Sequence, residues 1–570
     1  MKVFYQKGSN WRATPTKLPS EDTMLSLSFN NWDDYGVSTT LNAVFYVEGK
    51  NFFEFGLKLL IENDDYSPKK LNQLCDHGWD GIFPIPELNY VSVPSDIDFY
   101  NALIAKIGMN EARNTLSLLR DAGYMANILK DQSAISLIQH DYFSVSPLRE
   151  AGARKAYEDG WKLFSDQQSS IKDFTLNAIR KDGSTEPLRF KFNSELLPYD
   201  INVLIGENGI GKSYTLKSLV EYWLGVGRGS KDVLDKAKHE PFDHYPNISK
   251  LILISYSPFE EFTIDLSETS LKDKDAYRYF GFRRVIEDSD GNQRVGISRN
   301  LPASDSVSSI LKSLYDDIKF GELNNWTNKF ETILAVLKSA IEFEFIAFEL
   351  REDVGFFRET PEFSEFIVGD DKKYLKIDRA VIQKLDEWKV ELKDYVKFES
   401  GAVFIRDSKK VEISSGQRLF CYIVVNVVGQ IRKDSLVVID EPELFLHPAL
   451  EIEFIELLKK VLKAFSSKAI LATHSLAITR EVPAKCVHVY RKHNGMVEVE
   501  HPPFETFGGD MQRISSYVFG DNSITKPFDN WIKDQLATHA APQDIIDRLG
   551  DEINEEILIK LLNSRKSDGI

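Results

Sequence analysis

Hydrophobic positions along the chain change period from block to block, and the changes mark its parts. From residue 1 to about 170, alternating stretches such as Leu25–Phe29 and Ala43–Val47 predict strands, and apolar residues at helical spacing from about Phe99 to Phe164 predict helices. A second block opens near Asp173 with two strand-like runs, DFTLNAI and LRFKF, separated by a turn at Asp182-Gly183. The run INVLI then leads into a helix with Leu216, Leu219, Val220 and Trp223 on one face, ended by glycines 225, 227 and 229. LILISY (251–256) predicts another strand, and Asp290-Gly291 a hairpin turn. Helices follow, one with Phe330, Ile333, Leu334, Leu337 and Ile341 on a single face and one from about Asp378 to Val396. LVVI and AILAT predict two more buried strands, and the chain finishes in an amphipathic helix carrying Ile553, Ile557, Leu558, Leu561 and Leu562.

This alternation predicts an α/β fold in three parts. They are an N-terminal accessory α/β domain (1–170), a central α/β domain with an inserted helical lobe at about 260–400 (171–505), and a helical C-terminal extension (506–570). No repeat, low-complexity tract or sustained heptad interrupts the pattern. The net charge of −17 argues against a chain that coats nucleic acid or an anionic membrane over its whole surface; a local basic patch for nucleic acid stays open. Cys75, Cys421 and Cys486 lie far apart and suit a reducing compartment. The longest apolar run, Leu419 to Ile431, is broken by Tyr422, Asn426 and Gln430, and the first residues have no signal-peptide core. A cytoplasmic protein without membrane segments is expected.

The candidate chemistry is concentrated at a few sites. Gly206, Glu207, Asn208, Gly209, Ile210, Gly211, Lys212 and Ser213 satisfy G-x-x-x-x-G-K-[ST] between an apolar strand and a helix that continues with Tyr214. The glycines let backbone amides converge on phosphate oxygens, Lys212 reaches the β/γ-phosphates, and Ser213 is a ligand for Mg²⁺. ATP with Mg²⁺ is the expected cofactor pair. The strand Leu436–Ile439 delivers Asp440 and Glu441 at its carboxyl end, where ligands sit in open α/β sheets. Asp440 is expected to hold the cation and Glu441 to polarise the attacking water. Ser414, Ser415, Gly416 and Gln417 read locally as a capping box ahead of an apolar helix. His474, in ATHS, closes the strand AILAT 34 residues after Asp440.

The ordered set, GENGIGKS, ISSGQR, LVVIDEPE and ATHS, resembles ATP-binding-cassette (ABC) ATPases. The resemblance covers about 173–500 and implies that Ser414–Gln417 is the signature that faces the γ-phosphate held by a second subunit, with Ser415 where the family usually has glycine. It implies that His474 is the switch histidine, a third catalytic group beside Glu441 and Lys212. The stretch Glu443-Leu444-Phe445-Leu446-His447-Pro448 replaces a transporter's leucine-aspartate loop and resembles RecF-like and overcoming-lysogenisation-defect (OLD-type) ATPases, relatives of chromosome-maintenance (SMC) heads. The glutamine the family carries after the next strand is missing from Leu253–Phe259; either Ser257 substitutes or the coupling between the lobes differs, and the position stays unassigned.

The resemblance implies an ATPase that dimerises head to tail around ATP, or forms a higher homo-oligomer. It also resembles the ATPase subunits of bacterial anti-phage systems, of the Septu and retron-associated type, which implies a separate effector, a nuclease of the HNH type or a toxin. Two other readings stand beside it: a DNA-repair or chromosome-maintenance ATPase that holds DNA directly, and a single-chain nuclease. For the latter, only 96 residues follow His474, too few for an OLD-type nuclease domain, while Asp33 or Asp34 with Glu48-Gly49-Lys50 is a short metal-and-base pattern in the N-terminal region. Transport is disfavoured by the LHP segment and the long insertion. Arginines 278, 283, 284, 294 and 299 among Tyr277, Tyr279, Phe280 and Phe282 read either as a base-stacking surface or as a solvated hairpin.

Overall fold

A computed structural model describes residues 1–570 except 8–22, 31, 33, 35, 166–169, 181–182, 265–275, 288–292, 322–326, 352–364, 369–371, 388–390, 445, 494–495, 521–526, 539–541, 554 and 565–570. The predicted turn residues Asp182, Asp290 and Gly291, the aspartates Asp33, Asp275 and Asp288, and Phe445 therefore lie outside the described residues.

Five strands, β1 (Lys2–Gln6), β2 (Met24–Phe29), β3 (Thr40–Val47), β4 (Lys50–Ile61) and β5 (Tyr90–Pro94), form one sheet in sequential order. Helices between Asp98 and Asp159 cover it, with Phe45, Leu57, Phe99, Tyr100 and Leu116 in the shared core. A hairpin of β6 (Phe174–Ile179) and β7 (Thr185–Phe190) leads into the central sheet. That sheet takes β8 (Ile201–Gly206), β9 (Lys250–Ser255) and β10 (Tyr277–Gly281) from before the insertion. Next come a second hairpin, β11 (Arg283–Glu287) with β12 (Gln293–Ile297), and an antiparallel sheet of β13 (Phe345–Glu349), β14 (Glu365–Val368), β15 (Lys372–Lys376), β16 (Ala402–Arg406) and β17 (Lys409–Lys410). The inserted lobe thus adds a five-stranded sheet to its helices Leu301–Phe320, Lys329–Ala340 and Arg379–Glu387. The chain returns to the central sheet with β18 (Ser435–Asp440), β19 (Lys468–Thr473), β20 (Val487–His493) and β21 (Met496–Glu500).

The central order is β10-β9-β18-β19-β8-β20-β21, parallel except for the edge strand β21. β8, β9 and β18 are buried at every position, so they read as continuous apolar runs rather than alternating ones. Register aligns Asp440 with Ser255 on one side and Ala472 on the other, and Thr473 with Ile205. The carboxyl ends of β8, β18 and β19 therefore open onto the same edge, and the segments that follow them share one crevice.

Residues 1–508 pack as one unit. Inside it the N-terminal region is fastened to the central sheet by the buried Lys155, whose ammonium lies 2.9 Å from Asp434 just ahead of β18. It also touches the insertion, where Phe320 packs edge-on against Phe53. Residues 509–570 form a second unit, with Ile532, Ile545 and Leu561 at its core. Among the described residues no helix is long and apolar enough to cross a membrane; the apolar run at 419–431 belongs to the buried helix Ser415–Gln430.

Candidate nucleotide site

The loop after β8 turns on its glycines. Gly206 lies so close to β20 that a Cβ would sit 2.6 Å from the Tyr490 carbonyl oxygen, and Gly211 caps the helix Lys212–Leu224 at φ 114°, a left-handed conformation that favours glycine. The helix thereby presents its free amides to the crevice. Lys212 is 5% exposed and bends back over the loop, donating to the carbonyls of Gly206 and Glu207, both at 3.0 Å, and to His474 Nε2 at 2.9 Å. Burial lowers the pKa of this ammonium from its ordinary value. The same burial, reinforced by the Lys212 charge, lowers His474 to about 4, so the imidazole is neutral and its Nε2 accepts a hydrogen bond from the lysine ammonium.

Ser213 Oγ donates to Asp440 Oδ1 at 3.0 Å. The other oxygen, Oδ2, is buried without a hydrogen-bond partner, and burial with the neighbouring Glu260 and Glu441 carboxylates raises Asp440 to about 8. A buried carboxylate oxygen left open beside a hydroxyl is the oxygen donor set that suits a hard divalent cation such as Mg²⁺. Among the described residues no three His, Cys, Asp or Glu side chains converge as a metal cluster. Ser213 and Asp440 would thus hold the ion together with phosphate and water oxygens. Glu441 has a left-handed backbone at φ 50°, pinned by its amide donating to the Ala472 carbonyl at 2.8 Å, and its carboxylate lies 3.8 Å from His474 Nε2. A side chain held in that sparsely populated region is a common feature of reactive sites.

A cleft of about 640 Å³ runs along these groups. Asn208 to Thr215, Lys217, Glu441 and His474 line it together with Ala178, Arg180, Glu186, Tyr490 and Val499. Tyr214 carries the Arg228 guanidinium 4.3 Å above its ring. Ser414, Ser415, Gly416 and Gln417 do not line this cleft. They cap the helix Ser415–Gln430 as the sequence predicts: Gln417 N donates to Ser414 Oγ at 3.2 Å and Ser414 N to Gln417 Oε1 at 3.0 Å. Ser414 and Ser415 are exposed and Gly416 is buried.

Two residues have contacts at the site that the sequence does not announce. Glu260, in the segment after β9, lines the cleft beside Ser213, with burial raising its pKa and the Glu441 charge adding to the rise. Its carbonyl accepts from Arg283 at 2.5 Å. It lies one position beyond Leu253–Phe259, whereas Ser257 is buried and does not line the cleft. The only sequence signal was the acidic pair Glu260-Glu261 following a strand. Glu443 accepts from Thr473 Oγ1 at 2.8 Å, a contact across 30 positions that no local pattern announces.

The weaker patterns do not assemble. Asp34 is fully buried and accepts from Lys58 (3.0 Å), Ser146 (2.7 Å), Trp32 (2.7 Å) and Arg149 (2.5 Å). Burial would raise this carboxyl, but those partners hold it below the usual range. Glu48 and Gly49 form the turn between β3 and β4, whereas Asp34 sits by Lys58, which pairs with Thr40 at the far end of the ladder. Seven residues of strand separate the two ends, roughly 23 Å, too far for one metal. In the arginine-aromatic segment, Tyr277 and Phe280 are core residues and Phe282 packs on Tyr256, while Arg284 and Arg294 face solvent. Residues 283–287 and 293–297 pair there as the antiparallel strands β11 and β12.

Residues 201–480 match the model of a family described as an AAA domain, putative AbiEii toxin, Type IV TA system. A curated relative, Protein ea59 of Escherichia phage lambda, is 23% identical over 515 residues, 86% of this chain and 85% of that one. The SMC head domain from Thermotoga maritima aligns at 10% identity over 59% of this chain and 100% of that one, with a TM-score of 0.27. An SmcHead bound to the C-winged helix domain of ScpA aligns at 13% over 58% and 98%, with a TM-score of 0.28. Phosphate loop, strand-end carboxylates and family match together support a P-loop ATPase domain over residues 201–480.

Proposed function

We propose that the chain is an ATP-driven switch in which two copies close around ATP and control a separate effector. The observation that carries the composite site is the separation of its halves. Lys212, Ser213, Glu441 and His474 line one cleft, with Asp440 buried behind Ser213 and bonded to it, while the signature serine Ser414 is exposed on another element outside it. A second chain would supply Ser414 and Gly416 to the γ-phosphate. Lys212 leaves the Gly206 and Glu207 carbonyls for phosphate oxygens, and Glu441 orients the water while His474 donates or accepts at the γ-phosphate end. Bound Mg²⁺, held by Ser213 and Asp440, would neutralise phosphate charge. Hydrolysis then reopens the pair, so the chemistry sets a conformational state.

The effector is proposed as a distinct nuclease or toxin in an anti-phage system. Support comes from the motif resemblance, from a family description that names a toxin of a TA system, and from the dispersal of the Asp34 and Glu48–Lys50 pattern. Lys212→Ala tests the first step: nucleotide affinity by calorimetry should fall at least tenfold, and wild-type affinity would remove the phosphate-loop assignment. The purified chain should hydrolyse ATP yet leave plasmid, phage and transfer-RNA substrates intact with Mg²⁺ or Mn²⁺. Cleavage lost on Glu48→Ala would transfer the nuclease to this chain.

A further inference from the structure

The segment Glu443–Pro448 separates this chain from transporters, yet the chemistry above gives it no task. Its contacts run to the switch turn. Glu443 Oε2 accepts from Thr473 Oγ1 at 2.8 Å and Oε1 accepts from the His474 backbone amide at 2.5 Å. Thr473 Oγ1 in turn accepts from the Ser475 amide at 2.9 Å. From the next helix, Pro448–Ala464, Glu451 accepts from Ser475 Oγ. That helix is started by His447, whose Nδ1 accepts from the Ala449 amide at 3.3 Å. Two carboxylates eight positions apart therefore fasten all three residues of Thr473-His474-Ser475.

We propose that Glu443 is a positioning residue for His474, with Glu451 bracing the same turn. The proposal rests on the ATPase reading and gives the ELFLHP segment its function. The His474 imidazole reaches both Lys212, at 2.9 Å, and Glu441, at 3.8 Å. Its place there is set by the backbone between β19 and the following helix, and Glu443 binds that backbone directly. The hydroxyl of Thr473 relays the grip, since it donates to Glu443 while accepting from Ser475. Without the carboxylate, the His474 amide and the Thr473 hydroxyl lose their acceptor together, and the turn is free to shift. A displacement on the order of 1 Å at a reacting group costs about a hundredfold in rate, so the effect falls on turnover rather than on binding.

The experiment is a double-mutant cycle between Glu443→Ala and His474→Ala, with Glu443→Gln as the conservative variant. Glu443→Ala should lower kcat by roughly ten- to a hundredfold with KM and nucleotide Kd within about threefold. Glu443→Gln, which keeps one acceptor, should fall between. In the His474→Ala background the Glu443→Ala change should cost little more, because it acts through the histidine. Multiplying losses in the double variant would overturn the proposal. A readout independent of turnover is the imidazole resonance of His474 in the nucleotide-free protein, assigned by its disappearance in His474→Ala. It should move in Glu443→Ala and stay near wild type in Glu443→Gln; an unmoved ring in Glu443→Ala also overturns the proposal. If the wild type hydrolyses no ATP, the ATPase reading falls, while the ring measurement still decides whether Glu443 positions His474.

Discussion

Replacing Asp440 by asparagine should stabilise the nucleotide-free protein while destroying its response to nucleotide. Asp440 is 2% exposed, one of its oxygens has no partner, and its carboxyl is raised from 3.8 to about 8. Burial is the main cause, and Glu260 and Glu441 add like charge. Between pH 4 and 8 the folded state therefore keeps a proton that the unfolded chain has released, and stability falls as pH rises through that window. Each pH unit is worth about 1.4 kcal/mol, so the full interval amounts to roughly 5–6 kcal/mol, and relaxation around the charge leaves about 2–3 kcal/mol at pH 8. Asparagine carries no charge, still accepts from Ser213, and turns an amide donor toward the carboxylates. The melting temperature of Asp440→Asn should match wild type near pH 5 and exceed it increasingly up to pH 8. Adding Mg-ATP should reverse the order, raising the wild type and leaving the variant in place. A variant less stable than wild type at pH 8, or a difference independent of pH, would refute the electrostatic reasoning.

The remaining predictions test structure and assembly separately. Asp34→Ala should weaken the N-terminal sheet by about 3–5 kcal/mol, because it leaves the buried Lys58 without its principal counter-charge, and should leave nucleotide affinity unchanged. Amide exchange in β4 reads that loss locally, and a change under about 1 kcal/mol would contradict it. Ser414→Arg should keep nucleotide binding, since Lys212 and Ser213 are untouched, and collapse hydrolysis; calorimetry and phosphate release compared on one preparation distinguish this from equal loss of both.

Legibility of the site followed the range of the interactions. The phosphate loop could be read whole because its demands are local: glycines for a tight backbone and a lysine and serine at fixed offsets. The Ser414–Gln417 box is local too, and both of its hydrogen bonds are present. Glu260 was not legible because it lies just beyond Leu253–Phe259, and the role of Glu443 was not because its partners lie a strand and a helix away. In the insertion, β13 and β16 are five residues each and buried on consecutive positions rather than alternating, so the antiparallel sheet left only a weak periodic signal. The helix expected over 378–396 is described only to Glu387, and Val396 forms a bridge with Leu350 instead. The long strand β4, KNFFEFGLKLLI, passes from alternating to continuously buried along its length, which blurred its period. Lys155 and Asp434, which join the first region to the central sheet, are distant in sequence and individually unremarkable.

In the proposed switch, the site that holds ATP on one chain is completed by a second. Glu441→Gln keeps a hydrogen-bonding group and removes the carboxylate that would orient the water, so ATP should bind and persist. Light scattering of that variant should show its mass rise from one chain to two on addition of Mg-ATP and fall back when the nucleotide is removed. Bound ATP, measured in the same samples, with no change in mass would contradict the composite site.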